Sequence, residues 1–120
     1  PAGLPLVQHA LLSVLELADQ GVLSLEKVVE KTAHNPAIRY QVSERGFIRE
    51  GYWADLVLVS PHQSHLVTRE GLHYKCKWSP FEGETFCHSI LMTMVSGQIV
   101  YDDGQIKNEI FGRALEFKRN

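Results

Sequence analysis

The 120-residue chain has only two cysteines, Cys76 and Cys87. Two thiols make no disulfide framework and point to a reducing compartment. Neither sign of charge dominates: 12 Lys and Arg stand against 14 Asp and Glu, a net charge of -2 at pH 7. Nothing electrostatic therefore argues for nucleic acid or an anionic membrane. No apolar run approaches the roughly 18 residues of a membrane span, and no stretch reads as a signal peptide. A Gly-x-Ser-x-Gly elbow, a phosphate-binding Gly-x-x-x-x-Gly-Lys loop, a Cys-x-x-Cys pair and a His-Glu-x-x-His helix are all missing. Serine-nucleophile, P-loop and common zinc chemistries lose their usual signatures with them. There is no internal repeat. The first residue is Pro1 rather than Met, from which we expect a piece of a longer protein.

What is present is a chain 44% hydrophobic, enough for one core. Pro1 to Pro5 is a loop, with Pro5 suited to a first helical turn. From Leu6 the spacing of Val7, Ala10, Leu11, Val14, Leu15 and Ala18 predicts a helix that Gly21 stops. Ser24 is placed to cap a second helix, with Leu25, Val28, Val29 and Thr32 or Ala33 on its apolar side. His34-Asn35-Pro36 is expected to close it, because the residue before a proline disfavours the helical region. From Gln41 onward the character is β. Gly46 to Val59 reads as a short strand, a turn at Glu50-Gly51, and a strand whose Val57-Leu58-Val59 run suits burial on both faces. Asp55 can bond backbone amides near that strand's entry. Leu66-Val67-Thr68 and an irregular stretch from Arg69 to Gly83 follow. Then comes a hairpin, Ile90 to Val95 and Gln98 to Tyr101 around Ser96-Gly97. Asp103-Gly104 turns into a last strand at Gln105-Ile106-Lys107.

Six histidines and two cysteines invite a metal reading. His62-x-x-His65, His73-x-x-Cys76 and Cys87-His88 come nearest to ligand spacing, yet none forms a recognised zinc pattern. In a strand, Cys87 and His88 would point to opposite faces. Solvated or hydrogen-bonded loop histidines account better for them. His9, on the first helix, reads as a satisfied structural histidine, since a lone imidazole needs a partner to be catalytic. Asp102-Asp103 sits at a turn, where Asp serves the backbone. Trp78 and Phe81 read as buried anchors of the late loop. These residues by themselves give no catalytic group and no metal ligand.

Four stretches carry a resemblance. Gly46-Phe47-Ile48-Arg49-Glu50-Gly51-Tyr52-Trp53-Ala54-Asp55-Leu56-Val57-Leu58-Val59 resembles the start of the C-terminal β-structure in the cyclic amidohydrolases, which include dihydroorotases, hydantoinases and allantoinases. Pro1-Ala2-Gly3-Leu4-Pro5-Leu6-Val7-Gln8-His9 resembles the loop after the last barrel strand, and His34-Asn35-Pro36-Ala37 a helix-ending Asn-Pro-Ala. Trp78-Ser79-Pro80-Phe81-Glu82-Gly83, with Met94 to Tyr101 behind it, is similar to the late loop and hairpin of dihydroorotases and their near siblings.

The resemblance implies an α/β fragment: the last helices of a (β/α)₈ amidohydrolase barrel in residues 1–40, then part of a C-terminal β-sandwich in residues 41–120. It implies a zinc-dependent parent enzyme interconverting N-carbamoyl-L-aspartate and dihydroorotate in pyrimidine synthesis. The family's metal ligands (a His-x-His pair, a carboxylated Lys, two further His and an Asp) lie upstream of a loop like Pro1 to Pro5. Hence we expect no metal on this chain and no activity from it alone. Such a loop follows barrel strand eight, so the backbone amides of Ala2 and Gly3 are the expected substrate contacts. The N-terminal part of the same protein is the expected partner, with room for a homodimer, and the setting is cytoplasmic. Left alone, the β-part should expose sheet edges and a large apolar face. The rival readings are a hydantoinase or allantoinase sibling and a non-catalytic structural module.

Overall fold

The computed structural model describes residues 3–118. Val7–His9 forms a 3₁₀ turn that runs directly into α1 (Ala10–Asp19). The buried stripe is His9, Leu12 and Leu15, with Leu11, Val14 and Ala18 flanking it. Val7, expected on that stripe, is 88% exposed. The tighter 3₁₀ turn shifts the phase by which residues ahead of Ala10 meet the core. Pro5 therefore lies ahead of the first helical turn rather than in it.

Ser24 caps α2 (Leu25–Val29) as expected, its Oγ accepting from the Lys27 N–H at 3.2 Å. Of its expected apolar side only Val28 is buried. The helix does not close at Asn35-Pro36. Glu30–His34 widens into a π turn and α3 (Asn35–Arg39) continues from it, with His34 and Asn35 both in the right-handed helical region. Pro36 lacks an N–H and its ring presses on the carbonyl four residues earlier. The wider π turn immediately ahead supplies the slack.

The expected strand at Gly46 to Arg49 is absent; that backbone is irregular and lies against the helix. Gly46 has φ +80°, and a Cβ there would sit 2.4 Å from Ala37 Cβ and 2.9 Å from the Ala33 carbonyl oxygen. Only glycine fits. The turn at Glu50-Gly51 does form, the Tyr52 N–H donating to the Arg49 carbonyl at 3.1 Å.

Six strands follow: β1 (Leu56–Ser60), β2 (His65–Leu66), β3 (Thr85–Phe86), β4 (Ser89–Val95), β5 (Gln98–Asp102) and β6 (Gln105–Ile106). The predicted hairpin is β4–β5, and β6 is the predicted last strand. One antiparallel sheet has the order β1-β4-β5-β6, with Leu56 opposite Met94, Leu58 opposite Met92 and Thr93 opposite Tyr101. β2 and β3 pair separately. β1 is thus a sheet edge, and Leu56, Val57 and Leu58 are 39%, 46% and 55% exposed. The double burial expected of Val57-Leu58-Val59 is not met among the described residues, while the exposed edge and apolar face are. The tail returns to the helices: Lys118 N–H donates to the Gln41 carbonyl and Ser43 N–H to that of Glu116, both at 2.8 Å.

The core lies off the main sheet. Leu12, Leu15 and Val28 from the helices meet Val67 just after β2, Leu72 from the irregular stretch and Phe86 from β3, with Phe81, Tyr74 and Ile90 packed around them. Phe81 meets Phe86 edge-on with ring centroids 5.4 Å apart. Trp78 and Phe81, expected as buried anchors, are half-buried, and Phe81 alone of the two packs against the core.

Candidate functional site

Of the two expected substrate contacts, Ala2 lies outside the described residues. Gly3 is exposed at φ +130°, with open space where a Cβ would stand. The backbone there is accessible, but the helix that follows is one 3₁₀ turn before α1, without a side-chain cap. The α-helix itself starts only at Ala10.

Just beyond this loop, α1 and the sheet flank an open cavity of about 670 Å³, lined by His9, His65, Tyr74, Tyr101, Ile106 and Phe111 among others. Gln8 braces one wall. Its N–H donates to the Tyr74 hydroxyl at 2.7 Å, its side-chain amide to the Gly71 carbonyl at 2.8 Å, and its Oε1 accepts from the His73 N–H at 2.9 Å. His9 is 1% exposed, and neither ring nitrogen has a hydrogen-bond partner among the described residues. The satisfied histidine expected here is instead an unsatisfied one. It is packed by rings: Phe86 nearly parallel at 6.0 Å, Phe81 edge-on at 6.2 Å and His65 tilted at 5.7 Å. Burial lowers the pKa of His9, and the neighbouring His65 lowers it further; burial also lowers that of His65. Both rings are held neutral, as ligands or acceptors rather than cations. Their sequence separation of 56 positions gave no spacing signal that would have paired them.

Of the other histidines, only His73 lines the same cavity. His34 stacks on Phe47 at 4.3 Å, His73 lies edge-on to Tyr101, and His62 is exposed in a turn. Among the described residues no His-x-His pair and no carboxylate faces the cavity. The residues present do not fit the family's metal centre. Cys87 and His88 fall in the link between β3 and β4, so the alternation of a strand does not govern them. The Cys87 thiol is pushed up by the carboxylate of Glu16 and, less, by that of Asp19.

A second cluster, unseen from spacing, joins Gly46 to Val59 to the hairpin. Arg45 is buried and its guanidinium pairs with the Asp55 carboxylate, while its Nη2 lies 3.3 Å from Ser96 Oγ. Asp55 Oδ1 accepts from the Ser96 N–H at 2.8 Å, which is the backbone role expected of it. Two guanidinium groups lie over the Trp53 ring, Arg45 at 5.4 Å and Arg113 at 5.0 Å from its centroid. This is a structural clamp. No helix among the described residues is long and apolar enough to cross a membrane.

The helices and the antiparallel sheet define a partial α/β unit. The amidohydrolase family model matches residues 4–100, and the chain belongs to that family. It is similar to the dihydroorotase of Halobacterium salinarum, at 41% identity over 102 residues, covering 85% of this chain and 24% of that protein. It is also similar to the allantoinase of Bacillus velezensis, at 36% over 110 residues, 91% of this chain and 24% of that protein. Among solved structures, a D-hydantoinase superposes with a TM-score of 0.79 at 26% identity, over 88% of this chain and 23% of that one. The chain spans about a quarter of the length of these relatives.

Proposed function

We infer that this chain is the C-terminal portion of a dihydroorotase, an enzyme that reversibly cyclises N-carbamoyl-L-aspartate to dihydroorotate with zinc. The observation that carries this reading is the 41% identity to a dihydroorotase across 85% of the chain. In this reading residues 1–40 are the last loop and helices of a (β/α)₈ barrel, and residues 41–120 form half of a composite β-sandwich. The open edge at β1 and the unfilled cavity beside His9 then receive strands and side chains from the preceding part of the same protein. A barrel of this type takes about 250 residues, so the chain holds only its end. In the parent, zinc would supply Lewis-acid activation of the ring amide and of the attacking water; the residues that would hold it are expected outside this chain, so the chain alone should be inactive.

What the chain itself offers is backbone. The N–H groups of Ala2 and Gly3 lie on the loop after barrel strand eight and hold the substrate carboxylate without a side-chain acid or base. In the protein with its barrel, Gly3→Val weakens substrate binding and leaves metal content intact. Unchanged kinetics would remove the contact, and lost zinc would assign the loop to the metal centre instead. The free thiols Cys76 and Cys87 support a cytoplasmic setting. A homodimer is compatible with the exposed apolar edge.

The second reading, an allantoinase or hydantoinase, is favoured by the similarity to the Bacillus velezensis allantoinase and to the D-hydantoinase fold. Turnover of dihydroorotate, allantoin and a 5-substituted hydantoin by the barrel-containing protein separates the three.

A further inference from the structure

We propose that Arg45, Arg49 and Lys118 form a binding site for a phosphoryl anion, in the cavity where α3, the loop after it and the tail meet. That cavity is open, holds about 440 Å³, and shares no lining residue with the one beside His9. Its volume falls within the range of about 300–1,000 Å³ usual for small-ligand sites. Its charged lining is all of one sign: two arginines and a lysine, with no carboxylate among them. Glu44, Glu50 and Glu116 belong to the same segments, and none of them lines the cavity. Like charges gathered around one space repel one another, and an anion between them turns that cost into attraction.

The independent observation is how Arg49 is held. Its guanidinium lies over the Phe47 ring at 4.2 Å from the centroid and over the Tyr52 ring at 5.6 Å. Both rings line the same cavity. An aromatic face takes up the flat side of a guanidinium and leaves its in-plane N–H donors for another acceptor. Among the described residues neither Arg49 nor Lys118 is ion-paired. Arg49 is therefore oriented in advance, so less freedom is lost when an anion binds. Arg45 plays a different part. It is buried, held by Asp55 and Ser96, and largely neutralised by that carboxylate, so it adds fixed N–H donors rather than full charge. The tail is fixed beside the cavity by the bond from the Lys118 N–H to the Gln41 carbonyl. A forked guanidinium and an ammonium suit the three oxygens of a phosphoryl group better than the two of a single carboxylate. The site uses no residue of the Ala2-Gly3 loop, and it stands independently of the dihydroorotase reading.

Pyrophosphate is the probe, titrated calorimetrically into the 120-residue chain at a constant ionic strength of about 0.15 M. One saturable site per chain is expected. Arg49→Met weakens it about tenfold or more, and Lys118→Met about threefold. Arg49→Lys also weakens it about threefold, since it keeps the charge and loses the stacked fork. Lys75→Met, which lies outside the cavity, leaves the affinity unchanged. A measurement on the unmutated chain guards against misfolded variants: saturating pyrophosphate should shift the NMR resonances of the Arg49 Nε–H and the Lys118 amide, and leave that of the Lys75 amide in place. Citrate, of similar charge but with carboxylates alone, should bind about tenfold more weakly. No saturable binding, an affinity indifferent to Arg49→Met and Lys118→Met, or citrate held as tightly as pyrophosphate would overturn the site.

Discussion

The Arg45–Asp55 clamp is the interaction most open to a quantitative test. Asp55→Ala removes one partner of an ion pair whose arginine is 8% exposed and whose aspartate is 32% exposed. Breaking a buried pair from one side costs about 3–5 kcal/mol, because the remaining charge stays buried without compensation. Asp55 is partly open to water, which lowers that figure, while its Oδ1 bond to the Ser96 N–H adds about 1 kcal/mol. We expect a loss of about 3 kcal/mol. Equilibrium urea unfolding followed by tryptophan fluorescence reads it, with the midpoint falling and the slope unchanged. The loss should persist at high salt, since buried pairs are poorly screened. Replacing both charges, Arg45→Met with Asp55→Ala, should recover part of it, because no charge is then left stranded. A loss below about 0.5 kcal/mol, or one abolished by salt, would show that the pair is a solvated surface contact and refute the reasoning.

Acidification should destabilise the chain. The folded pKa values of His9 and His65 lie below the ordinary 6.5, so the unfolded state binds more protons as pH falls through that value, and stability present above it is lost below it. Each imidazole contributes up to about 1.4 kcal/mol per pH unit in that window. Unfolding midpoints from pH 7.5 to 5.5 check this, with His9→Phe flattening the profile; a flat wild-type profile contradicts it. Gly46→Ala should cost about 2–4 kcal/mol through its clash with Ala37 and its left-handed backbone, and a neutral result by thermal unfolding would mean the loop lifts off the helix. Phe81→Ala should cost about 2–3 kcal/mol and exceed Trp78→Ala, since only Phe81 packs on the core; equal losses by urea unfolding would contradict that ranking.

Local chemistry was readable from the chain and long-range assembly was not. The Ser24 cap, the Glu50-Gly51 turn and the β4–β5 hairpin each depend on a few adjacent residues, and all three appear where their turn and cap chemistry places them. Asn35-Pro36 misled because a π turn absorbs a proline that an α-helix would reject. Val57-Leu58-Val59 misled because periodicity reports what a strand needs covered, and the described residues do not supply the covering. The unsatisfied His9, the Arg45–Asp55 clamp and the meeting of Glu16 and Asp19 with Cys87 join positions far apart in sequence or outside any motif. A single sequence without covariation carries no signal for such pairs.

The most direct test of the dihydroorotase reading is cyclisation of N-carbamoyl-L-aspartate, measured side by side for the 120-residue chain and for the protein with its preceding barrel. The account predicts zinc-dependent turnover by the barrel-containing protein and none above background by this chain alone. Turnover by the isolated chain would contradict it, as would a barrel-containing protein that hydrolyses allantoin or a hydantoin and leaves carbamoyl-aspartate untouched.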